Sequence, residues 1–296
     1  MNWFYRQGRL HNGLFEAVVD SRIPGWIHTG LRVAELQQDV VAELSDKLVE
    51  RIVIPLNGTF VVEYELRGAI TRQTLKGRTS PFHGPTDTLY LPLGTPANVT
   101  GVGRVAIAEA PATKIMDVQY LPATNVPIEL RGSGSATRQV HNFGTPASLA
   151  ADRLIVCEVI TPSDNWSSYP PHKHDEYTPG VESNLEEIYY FEVAHARGLQ
   201  AASAGDPIGY FRNYGRADRQ IDTLAEVRTG DVALVPHGWH GPAMAAPGYD
   251  LYYLNVMAGP DPERSWNIVD DPNHAWVRST WPGQELDYRL PYTAQE

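Results

Sequence analysis

The sequence predicts an all-β protein built as two β-rich halves, each a sandwich or barrel. Three observations carry this reading. Short apolar or alternating runs recur along the chain, with turn residues between them. The 25 glycines and 23 prolines are scattered rather than clustered, as many short strands joined by turns require. An Asp followed by a short apolar run and Pro-x-Gly occurs twice, in "GPTDTLYLPLG" (84–94) and "RTGDVALVPHG" (228–238), which points to a duplicated unit.

In chain order, the first ambiguous segment is "VAELQQDVVAELSDKLVERI" (33–52). Its apolar spacing reads equally as one helix or as short strands. The run "RIVIPLNGTFVVEY" (51–64) is two strand-like pieces separated by the turn signal Asn57-Gly58. In the segment 89–112, Gly94-Thr95-Pro96 breaks a first strand, and Gly101 and Gly103 bracket the next. The stretch "RGSGSATRQVHNFGTP" (131–146) has no strong periodicity and reads as a linker. Strand texture then resumes at 153–160, 186–193, 231–236 and 249–259. Regular short strands of this kind suit sandwiches and barrels. The last thirty or so residues read as coil wrapped on a domain.

Composition excludes several classes. Asp+Glu (35) outnumber Lys+Arg (24), for a net charge of −11, so phosphate backbones and anionic lipid are poor partners. No apolar run approaches the ~20 residues that span a bilayer. The start, "MNWFYRQGRL", lacks a signal pattern. Cys157 is the only cysteine, so intramolecular disulfides and Cys-rich zinc sites are out. The expectation is a cytoplasmic protein that binds neither nucleic acid nor membrane. Sheet edges make a homo-oligomer plausible without fixing its size.

One cluster carries chemistry. On a strand, His172 and His174 share a face and Lys173 points the other way. Glu187 opens the apolar strand "EEIYYFEV", and His240 follows the turn Pro236-His237-Gly238. A His-x-His alone is more often structural or solvent-facing. Adding a carboxylate and a third imidazole favours one divalent metal ion: Zn, Mn, Fe or Ni. Six-coordination would leave two positions for water or substrate oxygens. His237 is read as lining the pocket without ligating. His11, His28, His83, His141 and His195 read as ordinary polar residues, and His274 as packing beside Trp276.

The "HKH…E" pair and the G-x5-P-x-G-x-H pattern (230–240) resemble the two signature motifs of the cupin superfamily. The common second motif has two residues between its Gly and its His, whereas only Trp239 stands here. More narrowly, "NWSSYPPHKHD", "LEEIYYF", "GPTDTLYLP" and "APGYDLYYLNVMAGP" look like the 5-deoxy-glucuronate isomerase family of bacterial myo-inositol catabolism. The likeness covers about 13–291. It implies a bicupin of two β-sandwich or jelly-roll domains. Residues 1–130 would form a unit without metal, since they lack a His-x-His, and 131–296 the metal-binding unit. It further implies an aldose–ketose isomerisation of 5-deoxy-D-glucuronate to 5-dehydro-2-deoxy-D-gluconate, with no redox cofactor.

A sugar-acid substrate needs a cationic partner, and the fork of an arginine suits a carboxylate. Arg212 is the first choice, since Tyr210, Arg212 and Tyr214 would share a strand face and the likeness includes an Arg followed by Tyr here. Tyr189, which shares a face with Glu187, and Tyr253 are the candidates for acid–base or hydrogen-bonding roles, with Asn255 beside them. Rival readings are an iron-dependent cupin dioxygenase, an isomerase acting on 5-keto-4-deoxyuronate, and a non-enzymatic sugar-binding cupin.

Overall fold

The computed structural model describes residues 3–66, 68–199 and 205–293. Among them there is no α-helix, and helical turns are limited to three short 3-10 segments: Ala123–Asn125, Gly134–Ala136 and Ala275–Thr280. The all-β expectation therefore holds. The helical alternative for 33–52 does not. That segment forms the strands Gly30–Leu36, Val41–Leu44 and the start of Val49–Pro55. Asp39 at φ 65° turns the chain between the first two. In Val41–Leu44 the alternation is plain, with Ala42 and Leu44 buried and Val41 and Glu43 exposed. Cross-strand pairing decided the outcome that local spacing left open.

The hub of the first half is a 15-residue strand, Ala97–Pro111. It pairs antiparallel with Gly30–Leu36, Val41–Leu44, Val49–Pro55 and Gly58–Leu66. Gly101 and Gly103 lie inside this strand rather than bracketing it. A Cβ on Gly101 would fall 2.2 Å from the Thr59 carbonyl oxygen, so only glycine lets the neighbouring backbone approach there. Asn57-Gly58 makes a corner, since the strands on either side of it pair with different stretches of the hub.

The second half holds two large sheets and the short pair Asp175–Thr178 with Glu182–Asn184. One has seven strands in the order Phe4–Tyr5, Val232–Val235, Glu186–His195, Tyr249–Ala258, Ile155–Thr161, Arg138–Gly144, Ile128–Arg131. The other has six strands: Arg219–Val227, Gly209–Arg216, Trp239–Ala245, His172–Lys173 and Val269–Asp270 in order, with Trp166–Ser167 also pairing Trp239–Ala245. The stretch read as a linker thus contributes a buried strand, Arg138–Gly144.

The seven-stranded sheet is buried on both faces, which explains its near-continuous apolar strands. Ile188, Tyr190, Tyr252, Leu254 and Val256 pack against Val33, Ile52 and Ile54 of the first half. Tyr189, Phe191, Tyr253 and Met257 point the other way, onto Phe211 and Ala243 of the six-stranded sheet. Period-two alternation on a single strand therefore serves two cores.

Buried polar contacts fix the halves together. Glu50 accepts the backbone N–H groups of Asp152 (2.8 Å), Arg153 (2.6 Å) and Leu154 (2.7 Å). Glu186 accepts from Ile27 and His28. Arg78 forms a two-pronged pair with Glu158, at 2.6 Å on each oxygen, and His141 and Tyr252 complete the carboxylate's contacts. Burial alone would raise the Glu158 carboxyl. Arg78 and His141 more than offset this and hold it at about 2.

Because that value lies below the ordinary 4.5, the stabilisation is present above about pH 4.5 and is lost as pH falls through about 2. Arg78→Met strands the buried carboxylate and is expected to cost about 3–5 kcal/mol at neutral pH. Urea unfolding should show this deficit narrowing as the pH is lowered, first as the stranded carboxyl of the variant takes up a proton and then, below about 4.5, as the wild type loses its own stabilisation.

Candidate metal centre

His172 sits directly opposite His240 in the antiparallel pairing of His172–Lys173 with Trp239–Ala245. This register brings their ring centroids to 4.4 Å, and His174 lies 4.6 Å from His240. One nitrogen from each of the three rings falls within 4.8 Å of the others, a group able to hold a metal ion. Glu187 reaches them from the seven-stranded sheet across the sandwich. Its Oε2 is 3.0 Å from Nε2 of His174 and 3.0 Å from Nε2 of His240. All four side chains are buried, His240 completely.

The turn before His240 is set by glycine. Gly238 adopts φ 90°, and its N–H donates to Asp175. Gly241 follows, where a Cβ would fall 1.8 Å from the Ser168 carbonyl oxygen. The Gly238 carbonyl lies 3.2 Å from Nδ1 of His240, and the Leu185 carbonyl 3.3 Å from Nδ1 of His174. A carbonyl can only accept, so both Nδ1 atoms carry a proton, and each ring in its neutral form turns an Nε2 lone pair toward the shared centre. Consistent with this, buried Nε2 of His240 makes no hydrogen bond despite its closeness to Glu187. Donors bonded to one ion at ~2.1 Å and at right angles stand about 3.0 Å apart, which is the spacing of Glu187 Oε2 from Nε2 of His174 and of His240. The donor set fits a divalent first-row ion.

The electrostatics differ from ring to ring. Burial, reinforced by the two neighbouring imidazoles, pushes His172 well below its usual range, so it is neutral. For His174, burial is outweighed by contact with Glu187, and its pKa is raised. Burial would raise Glu187, but His174 and His240 hold it at about 2.

Lys173 points away, as strand alternation requires. Its ammonium is bound by Asp175 (2.9 Å), Glu182 (2.6 Å) and Glu176 (3.2 Å). It thereby fills the other acidic cluster of the described residues that could hold a cation.

A narrow cavity of about 50 Å³ lies beside His172 and Glu187, walled by Tyr189, Tyr253, Asn255 and Ser168. The Tyr253 hydroxyl donates to Ser167 (2.9 Å) and meets Ser168 at 3.1 Å, while Tyr189 meets Ser168 at 3.3 Å. Burial pushes Tyr253 up to about 12 and holds Tyr189 well above its usual range. The Asn255 side-chain nitrogen is buried without a partner.

Arg212 is not in this cavity. Tyr210, Arg212 and Tyr214 do share a face, but Phe211 and Asn213 are the residues that point inward. Arg212 instead pairs with Asp222 and lies 5.3 Å from the Tyr214 ring. His237 does not line the cavity either. The arginines that do are Arg131, Arg138 and Arg278. Two of them lie in or at the edge of the stretch read as a linker, where no periodicity marks a face. Arg278 lies in the 3-10 segment Ala275–Thr280, within the stretch read as coil. Trp266, also on the wall, carried no pattern either.

Comparison with known proteins agrees with this architecture. The chain is 37% identical over 256 residues to the 5-deoxy-glucuronate isomerase of Geobacillus kaustophilus, covering 86% of this chain and 87% of that one. It is 40% identical over 210 residues to the enzyme of the same name from Bacillus subtilis strain 168, covering 70% and 73%. The crystal structure of an IolB-like protein from Salmonella typhimurium superposes with a TM-score of 0.81 at 32% identity, covering 94% of this chain and 99% of that one. Oxalate decarboxylase from Lactobacillus farciminis shares only the fold, a TM-score of 0.62 at 10% identity over 91% of this chain and 88% of that one. The bicupin expectation holds in that likeness. The sequence model of the KduI/IolB family matches residues 3–277, and the chain belongs to that family.

Proposed function

We propose that the chain catalyses the metal-dependent isomerisation of 5-deoxy-D-glucuronate to 5-dehydro-2-deoxy-D-gluconate, an aldose–ketose step of myo-inositol breakdown in the cytoplasm. The observation that carries this reading is the convergence of three neutral-capable imidazoles and one carboxylate beside a small polar cavity. It is supported by similarity to named isomerases over most of the chain.

In this reading His172, His174, Glu187 and His240 hold one divalent ion, Zn, Mn, Fe or Ni. Such an ion acts as a Lewis acid toward the carbonyl oxygen and the neighbouring hydroxyl of the substrate. The remaining work falls to the chain. The reaction moves hydrogen between adjacent carbons, so the two oxygens must be held together and water kept out. The narrowness of the inner cavity leaves little room for water beside the substrate. Tyr253 holds its proton at neutral pH and is oriented by Ser167 and Ser168, so it serves as a hydrogen-bond donor and proton holder at the substrate oxygens. Tyr189 is positioned beside it, with ring centroids 5.1 Å apart. Asn255 offers its unpartnered amide N–H to a substrate hydroxyl.

Purified protein incubated with 5-deoxy-D-glucuronate should form the ketone by NMR, stop on EDTA treatment and recover with a first-row divalent ion. No product with the metal present would exclude the isomerase reading, and oxygen uptake instead would favour a dioxygenase. Tyr253→Phe and Tyr189→Phe should each lower kcat by about 10²-fold or more with metal content unchanged. Metal analysis should find close to one ion per chain. His174→Ala and His240→Ala should lower that stoichiometry sharply, and Glu187→Gln should weaken metal affinity at least about tenfold.

A further inference from the structure

Two arginines stand face to face beside the cavity. In the antiparallel pair of Ile128–Arg131 with Arg138–Gly144, Arg131 is directly opposite Arg138. Like charges so placed repel unless each is compensated. Arg131 is compensated by Glu129 at 2.9 Å, and its guanidinium lies 5.0 Å from the Trp266 ring. Arg278, on the same wall, is held by Asp270.

Arg138 has no such partner. Its side chain is buried, with the residue 9% exposed. It pairs with no carboxylate among the described residues, and its one protein hydrogen bond runs from Nη1 to the Ala136 carbonyl at 3.2 Å. Burial and the neighbouring guanidiniums lower it to about 10, where it is still charged at neutral pH. A buried, unpaired cation is costly and calls for an anion. Room for the guanidinium is kept by Gly132, where a Cβ would lie 2.9 Å from Nη1.

The position of Arg138 says what the anion is attached to. The inner cavity beside His172 and Glu187 opens into an outer cleft of about 480 Å³. Arg131, Arg138 and Arg278 line both, together with Trp266 and Ile268, so they form the neck between them. A sugar acid whose carbonyl end enters the inner cavity leaves its far end at this neck.

We propose that Arg138 is the carboxylate anchor of the site and sets its preference for sugar acids over neutral sugars. Its fork binds the two carboxylate oxygens, and Arg131 and Arg278 add positive field from either side. The identity of the sugar acid rests on the isomerase reading above; the anion preference does not.

The test uses the full-length, metal-loaded chain and the variants Arg138→Met and Arg138→Lys. Turnover is compared on 5-deoxy-D-glucuronate and on its uncharged counterpart, 5-deoxy-D-glucose. For Arg138→Met the ratio of kcat/KM for the acid to that for the neutral sugar should fall at least about 30-fold, mainly through KM. Arg138→Lys, which keeps the charge and loses the fork, should fall between the variant and the wild type. Calorimetric titration with D-glucuronate and D-glucose gives a readout independent of turnover. Wild-type protein should bind the acid more tightly, and Arg138→Met should lose that difference while keeping its metal and melting temperature. If no chain turns over but the D-glucuronate preference depends on Arg138, the anchor stands and the isomerase reading falls. An unchanged ratio with unchanged titration, or equal loss on acid and neutral ligands, would overturn the anchor.

Discussion

The site depends on one cross-strand register. His172 opposite His240 fixes two imidazoles within a few ångströms of each other inside a sandwich, and Glu187 closes the set from the facing sheet. Buried imidazoles crowded in this way would repel if protonated. The carboxylate of Glu187, set against Nε2 of both His174 and His240, offsets that repulsion, and the backbone carbonyls at Nδ1 fix the orientation of the two rings. A slip of one residue in the short His172–Lys173 strand would exchange His172 for Lys173 on the inner face and end the arrangement. The glycines flanking His240 guard against that slip, since a side chain at Gly241 would collide with the Ser168 carbonyl.

The seven-stranded sheet links this site to the rest of the molecule. On Glu186–His195, Glu187 and Tyr189 face the metal-binding side, and Ile188 and Tyr190 face the first half. None of the four clustered side chains comes from the first half. It covers the back of the sheet that carries Glu187, Tyr189 and Tyr253, and it is held there by Glu50, Arg78 and Glu186. The cavity wall is thus supported from the opposite face of its own sheet.

Much of the site was legible in sequence because it rests on local periodicity. His172, His174 and the outward Lys173 follow from strand alternation, and Glu187 and Tyr189 from the same rule. His240 follows from its turn. Where the sequence misled, long-range structure decided. The apolar spacing of 33–52 suits a helix or strands equally, and pairing with Ala97–Pro111 chose strands. For Arg212 the strand and the shared face were read correctly, but only the packed sandwich reveals that Phe211 and Asn213 take the inner side. Arg138 left no trace, since its surroundings are rich in Gly, Ser and Thr and its burial comes from strands distant in the chain.

The central claim is that these four side chains share one cation. An anomalous-difference map from crystals grown with manganese or nickel measures this directly. A single strong peak should lie within about 2.0–2.3 Å of a nitrogen from each of His172, His174 and His240 and of a Glu187 oxygen. A peak among Asp175, Glu176 and Glu182 instead, or none within bonding distance of the three imidazoles, would contradict the account.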